Sequence, residues 1–353
     1  MYNLFMNPVI ICGGVGSKMW PLSTPTLPKH FLPLVDGKSL FQANWEALRK
    51  KYTPDQIFLQ TNAAQAKIAH TQVSELLPKN IFIEPETRNQ GPATGLAAAF
   101  LKKIGKGDEP FMLIQVDDLR LPEEEFLNFI EAAEKLCRSS SKYITAGFVP
   151  DRVVLGVDYL LTGELVSGDD PIKVFEIADY IDRTETEKIQ QFMDSGRLLV
   201  HANHTTMTPN NLLALYEKYK PEWYTPLIEI AKGADVVSEY AKMPKGTLEE
   251  VAKQSHKAGN SLVILTPFKW IDFGTWEFVD RFYRDNNYFP KNGGQVEIDG
   301  ENNFLWSESG KIIATIGVSD LAVVESKDGI LVTQKKSSGK VGQIVDRINS
   351  GDV

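Results

Sequence analysis

The chain contains little cysteine and no long apolar run. Cys12 and Cys137 are the only two cysteines among 353 residues, and they stand in unrelated contexts. This excludes a disulfide framework or a thiolate metal cage, and a reducing cytoplasm is the expected setting. No stretch of 18 apolar residues is present, and residues 1–11 lack a basic segment followed by an apolar one. Neither membrane spanning nor secretion is therefore predicted.

Basic residues are outnumbered by acidic ones. The 38 Lys and Arg against 46 Asp and Glu give a net charge of -8. Nucleic acids and anionic membranes are therefore not expected partners, and any phosphate ligand must be held by local groups. The length predicts two domains, and 42% hydrophobic with 24% charged residues is the composition of an ordinary globular protein.

The first half of the chain alternates helix and strand signals. Successive apolar residues at 8–12 predict a strand buried on both faces, and a glycine turn follows it. Further strands are predicted at 56–60, 81–83, 111–116 and 143–148, and helices at 40–51, 65–77, 93–104 and 123–137. This pattern is typical of an α/β doubly wound sheet, in which ligands bind beyond the carboxyl ends of the strands.

The second half is less regular. Its predicted strands are 156–164 and 173–175, and its predicted helices are 184–193 and 210–219. After residue 290, short apolar runs between turn signals predict β-strands at 304–306, 312–317, 321–324 and 329–333, closed by a helix at 341–348. A small β-rich appendage is the consequence.

The loop after the first strand carries the strongest chemical signal. Gly13, Gly14 and Gly16 would let backbone N–H groups approach a polyphosphate. Lys18 and Lys29 could supply the positive charge that the acidic protein lacks. The loop is neither a Walker loop, because no Gly-Lys-Ser/Thr ends it, nor a G-x-G-x-x-G fingerprint. From these glycines alone, a nucleotide site and a tight turn with two surface lysines are equally open.

Longer motifs resemble the sugar-1-phosphate nucleotidyltransferases, and within them the mannose-1-phosphate guanylyltransferases. The matching segments are 13–23, 27–32, 39–42, 84–93, 270–276 and 317–324. The resemblance spans nearly the whole chain. It implies a Rossmann-like catalytic domain with a mixed, mostly parallel sheet over 1–288, and a small domain like a left-handed β-helix over 289–353.

The resemblance also implies the reaction and its residues. A sugar-1-phosphate oxygen would attack the α-phosphorus of GTP, giving GDP-mannose from mannose-1-phosphate and releasing pyrophosphate. Lys29, Lys18 and Asp117 would be catalytic. Lys18 stands where the family usually has arginine, which keeps the charge but loses the planar bidentate fork. The implied nucleotide-binding residues are Gly13, Gly14, Gly16, Ser17, Glu84, Arg88 and Asn89.

A magnesium ion is the implied cofactor. Asp117 and Asp272 would bind it, since Mg²⁺ prefers hard oxygen ligands and keeps several waters. Asp118 replaces the usual histidine, and its charge could either bind the cation or repel the substrates. A solvated or capping carboxylate is the alternative for Asp117, and a structural salt bridge is the alternative for Arg88.

The sugar-binding half departs from the family pattern. Gly156, Asp158 and Glu176 stand at the positions implied for the sugar phosphate, but the expected lysine is absent. A dianionic phosphate without a cation is costly. Either Lys173 or Arg183 substitutes, or the acceptor differs, or transfer is slow or absent.

Other functions stay open at this stage. The chain could be a catalytically weak or inert nucleotide-binding relative with a regulatory role, or a transferase for another sugar-1-phosphate. His201 and His204 lack an evident third metal ligand, so they are expected to be polar surface groups. The basic run 335–340 is expected to be a solvated turn. The sequence leaves the oligomeric state open, a homodimer included.

Overall fold

The strand predicted at 8–12 lies inside the main sheet. The computed structural model describes residues 6–154, 156–168, 171–288 and 293–351. Four parallel strands, in the order β4-β1-β2-β3, form this half of the sheet: β1 (Asn7–Ile11), β2 (Phe58–Thr61), β3 (Ile81–Ile83) and β4 (Phe111–Gln115). Because they run in one direction, their carboxyl ends meet at one edge, here called the carboxyl edge.

Helices cover both faces of these strands. They are α1 (Leu40–Arg49), α2 (Ala63–Gln72), α3 (Gln90–Lys103) and α4 (Glu123–Ser139). Ile10 packs with residues of α1, α2 and α4, whereas its neighbour Val9 packs with α3. Alternate residues of one strand thus feed two cores, as the continuous apolar run predicted. The predicted β/α alternation is confirmed, with element ends shifted by a few residues.

The sheet continues into a small closed barrel. The strands of this region are β5 (Asp118–Leu121), β6 (Tyr143–Phe148), β7 (Tyr159–Ser167), β8 (Val174–Ile181), β9 (Leu198–His201), β10 (Thr206–Met207), β11 (Ser261–Leu265) and β12 (Lys269–Asp272). β10 joins β4 to β6 by antiparallel pairing, so β6 runs in the direction of β4. β6, β11, β8, β7 and β9 then pair in a ring.

Further helices complete this part of the chain, residues 6–288, here called the N-terminal part. They are α5 (Thr186–Phe192), α6 (Pro209–Tyr219), α7 (Pro221–Lys232), α8 (Val236–Tyr240), α9 (Glu249–Lys257) and α10 (Trp276–Asp285). Trp223 and Leu227 of α7 pack fully buried against the α3 side of the sheet.

The β-rich segment after residue 292 packs against the N-terminal part. It contains β13 (Gln295–Ile298), β14 (Phe304–Ser307), β15 (Ile313–Ile316), β16 (Leu321–Ser326), β17 (Gly329–Gln334) and α11 (Val341–Ser350). β13 pairs parallel with β15 and β14 with β16, whereas β17 returns antiparallel. Phe304 and Trp306 share one core with Met19, just beyond the glycine loop, and with Trp276.

The basic run 335–340, which the sequence predicted to be a solvated turn, is partly buried. It forms a 3-10 helix, and Lys335 is buried. The ammonium of Lys335 pairs with Asp280 of α10 and donates to Asn302 Oδ1 at 2.8 Å. This lysine therefore connects the C-terminal segment to α10 of the N-terminal part. Within the described ranges, no helix combines the length and apolar character needed to cross a bilayer.

Candidate active site

Lys29 and Asp117 meet at the carboxyl edge. β1 and β4 are neighbours, so the loops that follow them lie side by side. The Lys29 Nζ lies 3.0 Å from Asp117 Oδ2. The lysine side chain is 8% exposed and the aspartate 44% exposed. A buried amine is thus held beside a carboxylate that reaches solvent, at the edge where the strand pattern predicted a ligand.

The glycine loop passes directly over Lys29. Gly16 has φ 74° at the start of a 3-10 turn over Ser17–Met19. A Cβ on Gly16 would lie 2.4 Å from Lys29 Cβ, which no side chain tolerates. Gly13 and Gly14 are exposed and face open space, with no atom within 4 Å of an added Cβ. The loop therefore needs glycine at 16 for close approach and leaves the backbone of 13 and 14 accessible to a ligand.

A buried glutamine, missed by the sequence analysis, fixes this loop. Gln65 of α2 donates from Nε2 to the Gly14 carbonyl at 3.1 Å. Its Oε1 accepts from Thr61 Oγ1 at 2.9 Å and lies 3.1 Å from His30 Nε2. Burial lowers the pKa of His30 to about 4, so the ring is neutral at physiological pH. Because Gln65 lies in a predicted helix with no distinctive motif, no sequence signal marked it.

Lys18 and Ser17 lie in the turn after the glycines. Lys18 is exposed, and its positive charge opposes the rise in the pKa of the Asp272 carboxyl. α11 of the C-terminal segment covers this turn: a Cβ on Gly342 would lie 3.4 Å from Ser17 Oγ. The predicted phosphate-binding turn is therefore supported from outside by the C-terminal segment.

Asp272 reaches the same place from a different part of the chain. β12 pairs antiparallel with β5, with Asp272 opposite Asp118, and the Phe273 N–H donates to the Asp117 carbonyl at 3.4 Å. Burial raises the pKa of Asp272, Lys29 opposes this rise, and the Asp117 charge adds to it. Burial also disfavours ionisation of Asp117, but the charge and hydrogen bond of Lys29 outweigh it and lower the pKa. The structure thus brings the two predicted metal ligands into one electrostatic cluster.

The carboxylates of Asp117 and Asp272 fit a magnesium ion whose other coordination positions would be filled by phosphate oxygens and water. Within the residues that the structure describes, no group of three or more His, Cys, Asp or Glu side chains forms a metal cage. Asp117 and Asp272 offer two hard carboxylates that repel each other, as the effect of Asp117 on the pKa of Asp272 shows. A cation between them would relieve this repulsion, and Mg²⁺ is commonly held by one or two carboxylates plus phosphates.

Asp118, next to Asp117 in the chain, is buried rather than exposed at the carboxyl edge. Its side chain is 9% exposed and its carboxylate lies 3.7 Å from the Arg120 guanidinium. Burial, followed by the nearby Asp117 charge, raises the pKa of Asp118. A buried carboxyl whose pKa is raised to about 8 is mostly neutral at pH 7, so neither effect suggested by the sequence, cation binding or substrate repulsion, is favoured.

The loop after β3 is held by the segment that follows α7. Arg88 donates to the carbonyls of Ala241, at 2.8 Å, and Met243, and forms a 2.6 Å salt bridge with Glu86. Tyr240 donates to Glu84 Oε1 at 2.7 Å. The Arg88 side chain thus has the structural role that the sequence left open as an alternative.

Glu84 and Asn89 lie before and after Arg88 in the same loop. Asn89 is exposed with φ 65° immediately before α3, and Glu84 is half-buried at the end of β3. Because β3 ends at the carboxyl edge, both residues stay candidates for contact with a nucleotide base.

The comparisons with known proteins agree with this geometry. Residues 7–153 match the family model described as nucleotidyl transferase, and residues 293–348 match the mannose-phosphate isomerase/GMP-like β-helix domain. Mannose-1-phosphate guanylyltransferase of Escherichia coli K12 is 25% identical over 98% of this chain and 74% of its own length. The enzyme of that name from Salmonella montevideo is 26% identical over 97% and 74%. Residues 7–153 thus form a nucleotidyltransferase domain, and the chain is similar to mannose-1-phosphate guanylyltransferases over nearly its whole length.

Solved structures show the same fold. A Thermus thermophilus protein, described as mannose-1-phosphate geranyltransferase, matches with a TM-score of 0.83 at 22% identity, over 98% of this chain and 99% of the other. A Helicobacter pylori mannose-6-phosphate isomerase matches with a TM-score of 0.60 at 14% identity, over 76% and 100%. The predicted architecture, a nucleotidyltransferase domain followed by a β-helix-like domain, is confirmed.

The acceptor side of this nucleotidyltransferase differs from the expectation at Asp158. Its carboxylate is buried and accepts from Arg183, with the Nη2–Oδ2 distance at 2.7 Å, while Arg183 also donates to the Gly156 carbonyl at 2.9 Å. Burial opposes ionisation of Asp158, but the hydrogen bonds and charge of Arg183 lower its pKa. Asp158, Gly156 and Arg183 therefore form one ion-paired unit, in which the two charges satisfy each other.

Glu176 lies away from the other site residues. It is exposed and pairs with Lys142 at 3.2 Å, and Lys142 directly precedes β6. Since β6 runs in the direction of β4, this pair lies at the amino ends of the strands, opposite Asp117. The structure does not bring Glu176 to the carboxyl edge.

The two histidines near residue 203 are buried, which corrects the expectation of a polar surface. His201 Nε2 lies 2.8 Å from Thr145 Oγ1, inside the barrel. Arg120 donates to His204 Nε2 at 2.7 Å, so His204 accepts there and donates from Nδ1 to the Ala202 carbonyl at 2.6 Å. Both rings are structural groups of the interior.

Proposed function

We propose that the chain joins GTP and mannose-1-phosphate to give GDP-mannose and pyrophosphate. The observation that carries the proposal is the Lys29–Asp117 pair beneath an accessible glycine loop, 3.0 Å apart at the carboxyl edge. Support for the substrates comes from the relatives, which are named mannose-1-phosphate guanylyltransferases and align over nearly the whole chain.

The reaction is a phosphoryl-group displacement. A phosphate oxygen of mannose-1-phosphate bonds to the α-phosphorus of GTP, and the bond from that phosphorus to the oxygen bridging to the β-phosphate breaks. Pyrophosphate leaves with that oxygen. Because two anions must approach each other, the work of the protein is positioning and charge neutralisation.

The chain supplies this neutralisation from fixed groups. The backbone N–H groups at 13–16 would bind the triphosphate, and the buried Lys29 amine would contact it near the reacting phosphorus. Lys18, exposed on the next turn, adds a second cation. Asp117 and Asp272 would hold Mg²⁺, which when bound neutralises phosphate charge. Burial of Lys29 keeps its amine in one orientation beside Asp117 rather than free in solvent.

Lys173 is the proposed partner for the acceptor phosphate. The Lys173 carbonyl accepts from the Leu265 N–H at the carboxyl end of β11, and β11 runs parallel to β6. Lys173 therefore lies on the substrate side of the barrel, whereas Glu176 lies on the other.

The Asp158–Arg183 pair also favours a second candidate function. If these two charges stay paired, the site holds a nucleotide but no acceptor, and the chain is a regulatory nucleotide-binding relative. A pyrophosphate-release screen of GTP, ATP and UTP against mannose-1-phosphate and other sugar-1-phosphates separates the two. Release with GTP and mannose-1-phosphate supports the transferase, and nucleotide binding without release from any pair supports the regulatory relative.

A paired thermal-shift experiment tests the site itself. GTP with Mg²⁺ should raise the melting temperature of the wild-type protein, and Lys29→Ala or Asp272→Ala should abolish the gain. Lys51→Ala is the matched control, because Lys51 pairs with Glu131 at 2.8 Å on the helical surface. Equal stabilisation of all four proteins would refute the proposed site. A cytoplasmic setting is part of the proposal, consistent with two free buried cysteines.

A further inference from the structure

Arg120 is a buried cation that none of the roles above uses. It lies on β5, is 3% exposed, and its guanidinium carbon lies 5.1 Å from the ring centroid of Phe126. Burying a charge costs several kcal/mol unless hydrogen bonds and a countercharge compensate. The partners of this guanidinium therefore indicate what it does.

Two of its donors point at the loop that carries Asp117. Nη2 donates to the Gln115 carbonyl at 3.1 Å, and Nη1 donates to the Asp118 carbonyl at 3.0 Å. These carbonyls lie on either side of Asp117 along the chain. The planar guanidinium thus bridges the backbone before and after the carboxylate that faces Lys29.

Asn44 completes this bridge from α1. Its Nδ2 donates to the carbonyls of Val116 at 3.2 Å and Asp118 at 3.0 Å, and its Oδ1 accepts from Arg120 Nη1 at 2.9 Å. Arg120 and Asn44 therefore bind three of the four backbone carbonyls of residues 115–118. The sequence held a signal for Asn44, a polar residue within the apolar face of a predicted helix.

The remaining groups keep Arg120 in place. Its Nε donates to His204 Nε2 at 2.7 Å, and the Asp118 carboxylate lies 3.7 Å from Nη2. All three guanidinium nitrogens thus have partners inside the protein. The buried Asp118 side chain lies beside Nη2 and adds no hydrogen bond shorter than this distance.

We infer that Arg120 is a positioning residue, which together with Asn44 fixes the backbone of residues 115–118 so that the Asp117 carboxylate lies against Lys29. The kinetic consequence rests on the proposed function. The placement of the Asp117 carboxylate does not depend on the proposed function, because it can be measured in the protein without substrates.

Arg120→Lys is the direct test. The variant keeps the charge, but a single ammonium cannot reproduce the planar fork that bridges two carbonyls. In the substrate-free protein, Lys29 should react several-fold faster with acetic anhydride, measured by mass spectrometry against Lys102 as internal reference. In the pyrophosphate assay kcat should fall roughly 100-fold, the effect of misplacing a reacting group by about 1 Å, with the KM for GTP within about threefold of wild type.

Two further variants make the result decisive. Asn44→Ser leaves Arg120 in place and should shift both readouts in the same direction by a smaller factor, so it decides the question if Arg120→Lys does not fold. Arg197→Lys is the matched control, since Arg197 also donates to a carbonyl, that of Thr162 at 2.7 Å, but in the barrel. It should leave Lys29 labelling and kcat at wild-type values.

The outcomes separate this inference from the proposed function. Faster Lys29 labelling in Arg120→Lys supports the positioning role even if no protein, wild type included, releases pyrophosphate. A lower melting temperature with unchanged Lys29 labelling and unchanged kcat would show a merely structural arginine and would overturn the inference. So would equal changes in Arg197→Lys.

Discussion

The Gln65 side-chain amide donates to the Gly14 carbonyl across 3.1 Å, joining α2 to the glycine loop. The glutamine is 4% exposed. The loop after β1 is therefore not held by its own turn geometry alone. A residue more than fifty positions later in the chain sets where its backbone N–H groups point.

Replacing this glutamine should weaken nucleotide binding. Gln65→Leu removes the bond to Gly14 and leaves the Thr61 hydroxyl without its buried acceptor. We expect the free energy of unfolding to fall by about 1–3 kcal/mol, and the Kd for GTP, measured by calorimetry, to rise about tenfold. Gln190→Leu, at an exposed helix position, is the control and should change neither value. Unaltered GTP affinity in a folded Gln65→Leu protein would show that the loop is set by other contacts.

Gly16→Ala should damage activity more than stability. The added Cβ would lie 2.4 Å from Lys29 Cβ, and the residue has φ 74°, so the lysine must move. Gly105 has φ 83° with open space around an added Cβ, so Gly105→Ala carries the backbone strain without the contact. Both variants should lose about 1–2 kcal/mol of stability. Only Gly16→Ala should also slow pyrophosphate release, by roughly 100-fold. An equal loss of pyrophosphate release in Gly105→Ala would contradict the argument that Gly16 is needed for close approach to Lys29.

Lys18→Arg should strengthen nucleotide binding. The lysine is exposed beside the phosphate loop, and arginine would add a planar fork suited to two phosphate oxygens. We expect the KM for GTP to fall about threefold, which corresponds to under about 1 kcal/mol. Lys336→Arg is a matched change on the C-terminal segment and should leave KM unchanged. A KM that rises in Lys18→Arg would show that Lys18 contributes a compact point charge.

The parallel strands were predictable because each is encoded by a short apolar run, and the loops after β1 and β4 because glycine or aspartate follows within two residues of the strand end. β1 and β4 carry Gly13, Gly14 and Asp117 to one edge in this way. α7 was not predicted because Pro226 lies inside it and argues against a helix by local rules, whereas Pro221 lies in the first turn, where proline is well tolerated. It forms because Trp223 and Leu227 are buried completely against α3.

Contacts between distant segments were beyond local patterns. The barrel closes by pairing β11 with both β6 and β8, and no residue type marks a closing strand. Glu176 was expected at the sugar phosphate from its sequence position, but its strand places it at the opposite end of the barrel. His201 and His204 were predicted to be polar surface groups. Their burial depends on hydrogen bonds with Thr145 and Arg120, and a single sequence does not reveal such contacts.

His256 makes the stability of this protein depend on pH. Among the described residues, neither ring nitrogen of this buried histidine has a hydrogen-bond partner, and the ring stacks 5.8 Å from Tyr180. Burial lowers its pKa well below the usual value near 6.5. Below pH 6.5 the unfolded chain therefore takes up a proton that the folded chain refuses, so stability is full above pH 6.5 and falls as the pH drops.

His256→Phe should remove that proton while keeping the aromatic packing. At pH 7 the free energy of unfolding should rise by about 1 kcal/mol, because unpaired buried ring nitrogens are lost. Between pH 7 and 5.5, urea unfolding should show the variant losing about 1 kcal/mol less stability than wild type, close to one proton's contribution over that window. His70→Phe, on the exposed side of α2, is the control and should follow the wild-type slope at acid pH. If His256→Phe instead keeps the full wild-type loss, the acid sensitivity resides in the other buried histidines, His30, His201 and His204, whose pKa values burial also lowers.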